Sequence, residues 1–459
     1  MSFNYETQVF DLPEDLQRAK MNGDFDALGE LIDLRLRDAR LTPMMRQRLE
    51  TEKLCLDRWL RRYPYDRKAA LELCKKRIKD FTEEEFDSLE KQGVMDFLYV
   101  KGEKRYLSSF CGTLIKMLPE IAARQLDKKP YVDDGASTDE FIKYVKQHGS
   151  AAYRYRIRSS LKIEDEAFES GETYTVHVPV PAASAQQKAG DITITADPDA
   201  MISKPDALLR AVCWKRTLEK NEPFVTEFSY TSRISYVDPM HDAPRVVYPD
   251  ALPPCEDDLS EQLPHIVFTP YLKQLAHYIA GDETRPLHVA KKIYDYITLN
   301  VRYSFMRTYI LIDRHAEYCA LNLKGDCGIQ AILFITLCRI LGVPARWQSG
   351  LTVDKFGTGS HDWAQFYTEE FGWLFADCSY GGGGTRQENE EKRLFYFGNV
   401  DPFRMVANRR YLSEFEVPKK FIRFDPCDSQ EGEVESTKAG FDGFLFDKTD
   451  EVLAFERVE

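Results

Sequence analysis

The first residue that could do chemistry is Cys327, near the start of the apolar stretch KGDCGIQAILFITLCRILGVPARWQSG, residues 324–350. Asp326 suits a helix N-cap, and Gly342 followed by Pro344 suits a helix end. The cysteine is therefore predicted in the first turn of a helix. There, free backbone N–H groups and the positive end of the helix dipole favour a thiolate, the nucleophilic form. A small buried hydrophobe is the alternative reading of this cysteine.

A second pair of reactive side chains lies on a predicted β-hairpin. The stretches HDWAQFY (361–367) and WLFADCS (373–379) flank the short turn TEEFG, in which Gly372 supplies the left-handed residue. Any register whose paired residue numbers have an even sum keeps His361 and Asp377 on one face of the hairpin, and an odd sum separates them. The alternative is a surface hairpin with unrelated polar ends.

Taken together, Cys327, His361 and Asp377 supply a nucleophile, a general base and a carboxylate that orients the base. The chemistry that this set predicts is acyl transfer. The thiolate attacks an amide carbonyl, the imidazole protonates the leaving amine, and water or a second amine resolves the thioester. The oxyanion needs hydrogen-bond donors. The backbone N–H of Cys327 is one candidate, and Tyr303 or Asn322 is a candidate for the second.

The composition excludes several classes of protein. A net charge of −13 over 459 residues argues against a nucleic acid or an anionic membrane as partner. The N-terminus lacks the basic start and apolar run of a signal peptide, and no apolar stretch is long enough for a membrane helix. The ten cysteines form no CxxC pair, which argues against a zinc ribbon or a disulfide framework. We therefore expect reduced thiols, a cytoplasmic location, and neither metal nor cofactor.

Residues 1–140 are predicted to form a helical domain. Asp24 can cap one amphipathic stretch, and Thr42 followed by Pro43 starts another. Helical periodicity continues through RKAALELCKKRIKDF and EEFDSLEKQGVMDFLYV. The polar segment 127–140 is the predicted linker that ends this domain.

From about residue 150 the hydrophobic period changes to two, as in AYRYRIRS. This predicts an antiparallel, sandwich-like β domain over 145–250, which strands of 415–459, including KKFIRFDP, are candidates to complete. The lone His177 is predicted to be structural. After the break ALPPCEDDLSEQ, a catalytic domain is predicted over 260–412. The run GGGG at 381–384 lacks the lysine and hydroxyl residue of a phosphate loop, so we expect a loop or turn.

The motifs GDCGIQAILFITLCRILGVPARWQSG, HDWAQFY and WLFADCSY, in this order, resemble the transglutaminase-like core, a branch of the papain-type cysteine enzymes. The segment AKKIYDYITLNVRYS (290–304) is similar to the helix that precedes the cysteine segment in that family. The resemblance covers about residues 265–385. It implies an α+β fold in which the cysteine helix packs on an antiparallel sheet. It also implies that Cys327 is the nucleophile, His361 the general base and acid, and Asp377 the orienting carboxylate.

The expected activity is hydrolysis of an amide or peptide bond in a peptide or protein substrate, as by a cysteine peptidase or amidase. The first alternative is a protein-glutamine gamma-glutamyltransferase, in which a second amine resolves the thioester. The second alternative is a non-catalytic peptide-binding or scaffold protein. An amine-incorporation assay separates transferase from hydrolase, and thiol reactivity separates an enzyme from a scaffold.

Overall fold

The computed structural model describes residues 5–127, 136–355 and 357–459. Its first part is mainly helical, as predicted, and two of the predicted caps are formed. The carboxylate of Asp24 accepts a hydrogen bond from the N–H of Ala27, and the hydroxyl of Thr42 accepts one from the N–H of Met45. The elements of this part are α1 (Glu14–Met21), α2 (Phe25–Leu36), α3 (Pro43–Arg62), α4 (Arg67–Arg77), α5 (Glu83–Lys91), β1 (Phe97–Val100), β2 (Glu103–Tyr106), α6 (Phe110–Met117) and α7 (Pro119–Ala122).

The segment FLYV, predicted as the end of a helix, is instead the strand β1, which pairs antiparallel with β2. The two residues between the strands, Lys101 and Gly102, both have positive φ. Two such residues are what a tight hairpin turn needs. The sequence prediction missed this turn because lysine at its first position gives no turn signal.

The next part of the chain is built from antiparallel strands, as the period of two predicts. In β3, the side chains of Tyr155 and Ile157 are buried, whereas those of Arg154, Arg156 and Arg158 are exposed. The elements are α8 (Ala136–His148), β3 (Ser150–Ile163), β4 (Glu172–Pro179), β5 (Thr193–Ala196), β6 (Met201–Ile202), β7 (Ala211–Leu218) and β8 (Phe224–Ser235).

The third part packs a buried helix against a five-stranded antiparallel sheet. Nearly every residue of α12 is buried, and the helix packs on β11 and β12. The elements are α9 (Pro270–Ala280), α10 (Pro286–Asn300), β9 (Arg302–Tyr303), α11 (His315–Asn322), β10 (Lys324–Gly325), α12 (Cys327–Ile340), β11 (Ala345–Asp354), β12 (Gly357–Thr368), β13 (Gly372–Ala376), α13 (Cys378–Arg386), α14 (Glu390–Phe395), β14 (Phe397–Gly398) and β15 (Arg404–Asn408). The strand order is β14-β13-β12-β11-β15, and the predicted α+β fold class is confirmed.

The hairpin formed by β12 and β13 has a register with an even sum. Tyr367 pairs with Trp373, and Gly372 adopts the left-handed conformation with φ of 70°. This register keeps His361 and Asp377 on the same face, which confirms the prediction made from the turn.

The predictions immediately after this hairpin are wrong. Strand β13 ends at Ala376, and the carboxylate of Asp377 caps the following helix, α13. The GGGG run lies inside α13 rather than in a loop. A Cβ atom at Gly381 would collide with the hydroxyl of Tyr294, and one at Gly384 would lie 2.7 Å from the backbone nitrogen of Arg393. Close packing of the helix against its neighbours therefore outweighs the low helix propensity of glycine.

The C-terminal strands are β16 (Glu433–Glu435) and β17 (Phe446–Arg457), which pair with β4 and β3. They complete two four-stranded sheets, β16-β4-β7-β6 and β17-β3-β8-β5, which share one apolar core. The predicted strand KKFIRFDP (419–426) is wrong, because this segment is irregular. Several of its backbone N–H groups donate to the carboxylates of Glu433 and Glu435 instead of to a neighbouring strand.

The domain boundaries at 1–140, 145–250 with 415–459, and 260–412 stay a prediction. The greater part of the predicted linker, residues 128–135, lies outside the described residues. The lone His177 is buried, and its Nε2 lies 2.9 Å from the carbonyl oxygen of Val417. In the described part of the chain, no helix combines the length and apolar character needed to cross a membrane.

Candidate active site

Cys327 is the first residue of α12, as predicted from its sequence position. The side chain of Asp326 caps this helix by accepting a hydrogen bond from the N–H of Ile329 at 3.2 Å. The space beside the next residue, Gly328, is occupied. A Cβ atom at Gly328 would collide with the hydroxyl of Tyr309 and with a carboxyl oxygen of Asp362.

The exposure of Cys327 sets it apart from most cysteines of the chain. Eight of the ten cysteines are buried, Cys255 is exposed, and Cys327 is partly exposed. A nucleophile must be reached by its substrate, so the eight buried thiols are excluded as candidates. Cys255 lies in an exposed segment, where its nearest charged partners are Asp258 and Arg410, with no histidine bonded to it in the described part of the chain.

The thiol of Cys327 is hydrogen-bonded to a carboxyl group that the sequence analysis did not consider. Its Sγ lies 3.3 Å from Oδ2 of Asp362, the residue that follows His361 on β12. The other oxygen of Asp362 accepts a hydrogen bond from the side-chain amide of Gln430 at 2.6 Å. The same amide donates to the backbone oxygen of His361 at 2.9 Å. Gln430 of the C-terminal segment therefore bonds both His361 and Asp362 of β12.

Asp362 belongs to a buried cluster of carboxyl groups. Burial and the nearby charge of Asp326 raise the pKa of Asp362 to about 7. Burial also raises the pKa of Asp326 to about 6, although a 2.6 Å hydrogen bond from the hydroxyl of Tyr309 opposes this shift. The pKa values of Asp425 and Asp428 are raised as well, by burial and by neighbouring carboxylates. This cluster therefore holds protons at pH values where an exposed aspartate is ionised.

The surroundings of Cys327 disfavour its thiolate. Burial, followed by the charges of Asp362 and Asp326, raises the pKa of Cys327 well above its usual range. The helix N-terminus alone predicts the opposite shift in the pKa of this thiol. The helix dipole contributes the equivalent of about half an elementary charge, which two adjacent carboxyl groups outweigh. In the resting protein the thiol is protonated and donates to Asp362.

His361 and Asp377 are brought together as the predicted base and carboxylate. Nε2 of His361 lies 2.7 Å from Oδ2 of Asp377. The same carboxyl oxygen accepts a hydrogen bond from Nη1 of Arg404 at 2.7 Å. Its other oxygen, Oδ1, accepts from the backbone N–H of Tyr380 at 2.9 Å and from the hydroxyl of Ser379 at 3.1 Å. All the contacts of Asp377 therefore favour its ionised form.

The charge balance around this pair differs from that around the thiol. Burial alone would raise the pKa of Asp377, but the nearby His361 and Arg404 lower it below its usual value. The pKa of His361 is lowered, mainly by burial and against the opposing effect of Asp377. With Asp377 ionised, Nε2 of the neutral imidazole carries the proton and donates to it, which leaves Nδ1 as the basic nitrogen.

Across the described residues, no hydrogen bond joins Cys327 directly to the ring of His361. The thiol is bonded to Asp362, and the imidazole is bonded to Asp377. Consecutive residues of a strand project to opposite sides, which accounts for the different partners of residues 361 and 362. The catalytic assignment of Cys327, His361 and Asp377 as one triad stays a prediction.

The two candidates for the second oxyanion donor differ in their surroundings. Asn322 is exposed, and its side-chain amide donates to the backbone oxygen of Tyr318 at 2.8 Å. Tyr303 is buried on β9, and the ammonium group of Lys116 lies 4.0 Å from the centre of its ring. Lys116 comes from α6, so the helical N-terminal region contributes a cation near the thiol. The charge of Lys116 favours the thiolate of Cys327, although less than the carboxylates disfavour it.

Three further residues near the site were missed by the sequence analysis. Arg404 is 27 residues from Asp377, and Gln430 is 68 residues from Asp362, so no local spacing links either pair. Asp362 is the sequence neighbour of His361, but the presence of an aspartate on a predicted strand does not predict that its carboxyl group contacts a thiol.

One buried group could hold a metal ion: the ligand atoms of His265, His315 and Cys427 lie within 4.8 Å of one another. The two imidazole rings are stacked, with centroids 3.6 Å apart and planes 10° apart. Their in-plane lone pairs therefore run side by side rather than converge on one point. The thiol of Cys427 donates to the hydroxyl of Tyr411 at 3.2 Å, and that hydroxyl lies 2.8 Å from Nδ1 of His315. These contacts describe a hydrogen-bonded cluster rather than a metal centre.

Comparison with protein families addresses the middle of the chain. Residues 273–378 match the model of the Transglutaminase-like superfamily. This span carries a transglutaminase-like core. It contains Cys327, His361 and Asp377, and it lies within the 265–385 segment on which the resemblance was recognised, so that recognition is confirmed. The match covers α12, β12 and β13, whereas the helical N-terminal region and the two four-stranded sheets lie outside it.

The chain is also similar to solved structures at low sequence identity. One is a candidate cysteine protease from Cytophaga hutchinsonii, at 17% identity and a TM-score of 0.41, with coverage of 67% of this chain and 92% of that one. Another is the periplasmic domain of TgpA from Pseudomonas aeruginosa, at 14% identity and a TM-score of 0.28, with coverage of 55% and 94%. No curated protein matches the sequence.

Proposed function

We propose that this protein is a cysteine-dependent acyl-transfer enzyme that hydrolyses amide or peptide bonds through a thioester on Cys327. The observation that carries the proposal is the pairing of His361 with Asp377, a carboxylate that Arg404 also contacts. His361 is the neighbour of Asp362 on β12, and Asp362 contacts the partly exposed thiol of Cys327. The transglutaminase-like core over residues 273–378 supports a cysteine-type enzyme. A peptide or protein amide is the proposed substrate.

In the proposed reaction, Nδ1 of His361 takes the thiol proton, and Sγ of Cys327 attacks the carbonyl carbon of the amide. The imidazolium then gives its proton to the leaving nitrogen as the C–N bond breaks, and a thioester remains. Water, deprotonated by the same imidazole, attacks the thioester and releases the carboxylic acid and the free thiol. Asp377 stabilises the imidazolium that forms between these steps, because its lowered pKa keeps it ionised.

In the resting enzyme the thiol of Cys327 is bonded to Asp362, whereas in the proposed reaction its partner is His361. We assign the observed contact of the thiol with Asp362 to the resting state and propose that the thiol leaves Asp362 and is bonded to His361 in the reacting state. The charge of Asp362 raises the pKa of Cys327, so the resting contact keeps the nucleophile protonated until it moves away.

The experiment that tests hydrolysis is digestion of a complex peptide mixture in water enriched in heavy oxygen, followed by mass spectrometry. Hydrolysis creates new C-termini that carry the heavy label. The expected result is labelled products with the wild-type chain and with Cys255→Ala, which removes an exposed thiol away from the site. Cys327→Ala and His361→Ala should form none. Equal product formation by Cys327→Ala and Cys255→Ala would refute a role for Cys327 as nucleophile.

The same samples separate hydrolysis from transglutamination when a primary amine with an affinity tag is added. The proposal expects labelled acids and no tagged amide. Tagged glutamine side chains that depend on Cys327 would instead identify an amine as the second substrate.

We also propose a cytoplasmic location, supported by ten cysteines that are all free thiols.

A further inference from the structure

A cavity of about 350 Å³ lies between the helical N-terminal region and the chain segment that leads to Cys327. Helix α3 contributes Trp59 and Tyr63, and the segment before the cysteine contributes Arg307, Tyr318 and Lys324. This volume falls within the range of about 300–1,000 Å³ that is usual for small-ligand sites. Its lining includes neither the carboxyl cluster around Asp362 nor the pair of His361 and Asp377.

The charge of the cavity is opposite to that of the chain. Its lining includes three cations, Lys20, Arg307 and Lys324, and one carboxylate, Asp96. The lining therefore has a surplus of two positive charges in a protein whose net charge is −13. Such a concentration of cations, lined by low-dielectric side chains, attracts an anion.

Two of these cations already have carboxylate partners, and the third does not. Lys324 lies 3.1 Å from Asp96, and Lys20 lies 2.9 Å from Glu52. For Arg307, no carboxylate of the described chain lies within ion-pair distance, and its Nε donates to the backbone oxygen of Leu311 at 3.1 Å. The guanidinium also has a hydrogen bond with the side chain of Tyr318. The N–H groups that these two contacts leave can receive a carboxylate in the two-pronged geometry that arginine favours.

Two aromatic rings lie close to this guanidinium. Its central carbon lies 5.3 Å from the ring centre of Trp59 and 5.1 Å from that of Tyr318. The rings fix the guanidinium in place and offer flat apolar surfaces beside it. A ligand that fits both features has a carboxylate attached to an aromatic or otherwise flat apolar group.

We propose that this cavity binds an aromatic carboxylate, either the C-terminal residue of a peptide or a free aromatic acid, with Arg307 as the partner of the carboxylate. Lys324 is three residues before Cys327, so their Cα atoms are at most about 11 Å apart. An extended peptide spans that distance with about three or four residues. Where the source is a peptide, the inference rests on the proposed function, and the cavity selects short substrates by their free C-terminus.

The test measures binding by calorimetry on the full chain with Cys327→Ala, so that turnover plays no part. The probes are N-acetylphenylalanine, the peptide Ala-Ala-Ala-Phe with a free C-terminus, and the C-terminal amide of each. The acids should bind at least about tenfold more tightly than their amides, because a charged hydrogen-bonded pair is lost in the amide. Tighter binding of the peptide acid identifies a substrate C-terminus, tighter binding of N-acetylphenylalanine identifies a free acid, and equal binding supports recognition of the terminal aromatic carboxylate alone.

Variants locate the binding in this cavity. Arg307→Met should weaken the acids about tenfold and leave the amides unchanged, whereas Arg285→Met, which removes an exposed arginine, should change neither. Asp96→Asn adds one positive charge to the lining and should tighten the acids several-fold, which keeps the test valid if Arg307→Met fails to fold. Equal binding of acid and amide, or no binding of any probe, would overturn the proposal. Neither result bears on hydrolysis by Cys327.

Discussion

Two groups of buried carboxyls flank the same strand, β12, and they are in opposite electrostatic states. On one side, Asp377 contacts His361 and Arg404 and has a lowered pKa. On the other, Asp362 contacts a neutral thiol and further carboxyl groups and has a pKa raised to about 7. Burial is similar in both, so the presence of a cation decides the difference. The first group can stabilise an imidazolium, and the second can hold protons near the thiol.

The largest expected effect comes from removing the charge on the cation-paired side. Asp377→Asn keeps the shape of the side chain but removes the negative charge that stabilises the imidazolium of His361. It also permits the tautomer of His361 in which Nδ1, not Nε2, carries the proton. The value of kcat for amide hydrolysis should fall by about 10⁴-fold. Asp428→Asn is the matched control in the other group and should leave kcat within a few-fold of wild type. A similar loss from both variants would show that the two groups do not differ in role.

The next largest effect concerns stability. Arg404→Met leaves the buried carboxylate of Asp377 without its cation, and removal of one partner of a buried ion pair costs about 3–5 kcal/mol. Urea unfolding measures this loss. The comparison is with Gln430→Leu, which removes a neutral donor from Asp362 and should cost about 1–3 kcal/mol. If Arg404→Met costs no more than Gln430→Leu, the contrast between the two groups is incorrect.

A smaller effect of the opposite sign is expected at the thiol. Asp362→Asn removes a charge that raises the pKa of Cys327, so alkylation of Cys327 by iodoacetamide should become about tenfold faster at pH 8. The acceleration should shrink toward pH 6, where Asp362 is already protonated in the wild-type chain. Peptide-resolved mass spectrometry follows the reaction. Slower alkylation in the variant would mean that Asp362 assists the thiolate instead of opposing it.

Taken per pH unit, the smallest effect is the pH dependence of stability. The pKa of Asp362 is about 7 in the folded chain and 3.8 in the unfolded reference, so the folded chain binds more protons between these values. The free energy of unfolding should therefore fall as pH rises from 4 to 7, by on the order of 1 kcal/mol per unit. Asp362→Asn should flatten this slope.

For Asp377, whose pKa is lowered, the stabilisation is instead lost as pH falls below about 4, and Asp377→Asn should remove that acid sensitivity.

Local rules predicted the parts of the site whose partners are close in sequence. Asp326 caps α12 three residues ahead of its N–H partner, and the turn at Gly372 sets the register that pairs His361 with Asp377. The same rules misplaced the glycine run of α13, because its packing against Tyr294 depends on a distant helix.

The electrostatic state of Cys327 was mispredicted for the same reason. The helix dipole is a local property and was visible in the sequence. The carboxyl groups that outweigh it are Asp326, which precedes Cys327 in the sequence, and Asp362, which the fold of β12 brings to the thiol. Tertiary contacts of this range leave no periodic signal in the sequence.

The most direct test of a Cys327–His361 catalytic pair is the alkylation rate of Cys327 at pH 7 in His361→Ala against wild type. The exposed Cys255 serves as the reference thiol in the same sample. If the imidazole accepts the thiol proton, the rate at Cys327 falls by about tenfold or more in the variant, while the rate at Cys255 is unchanged. Equal rates at Cys327 in the two proteins would contradict activation by His361 and leave Asp362 as the only polar partner of the thiol seen in the described structure.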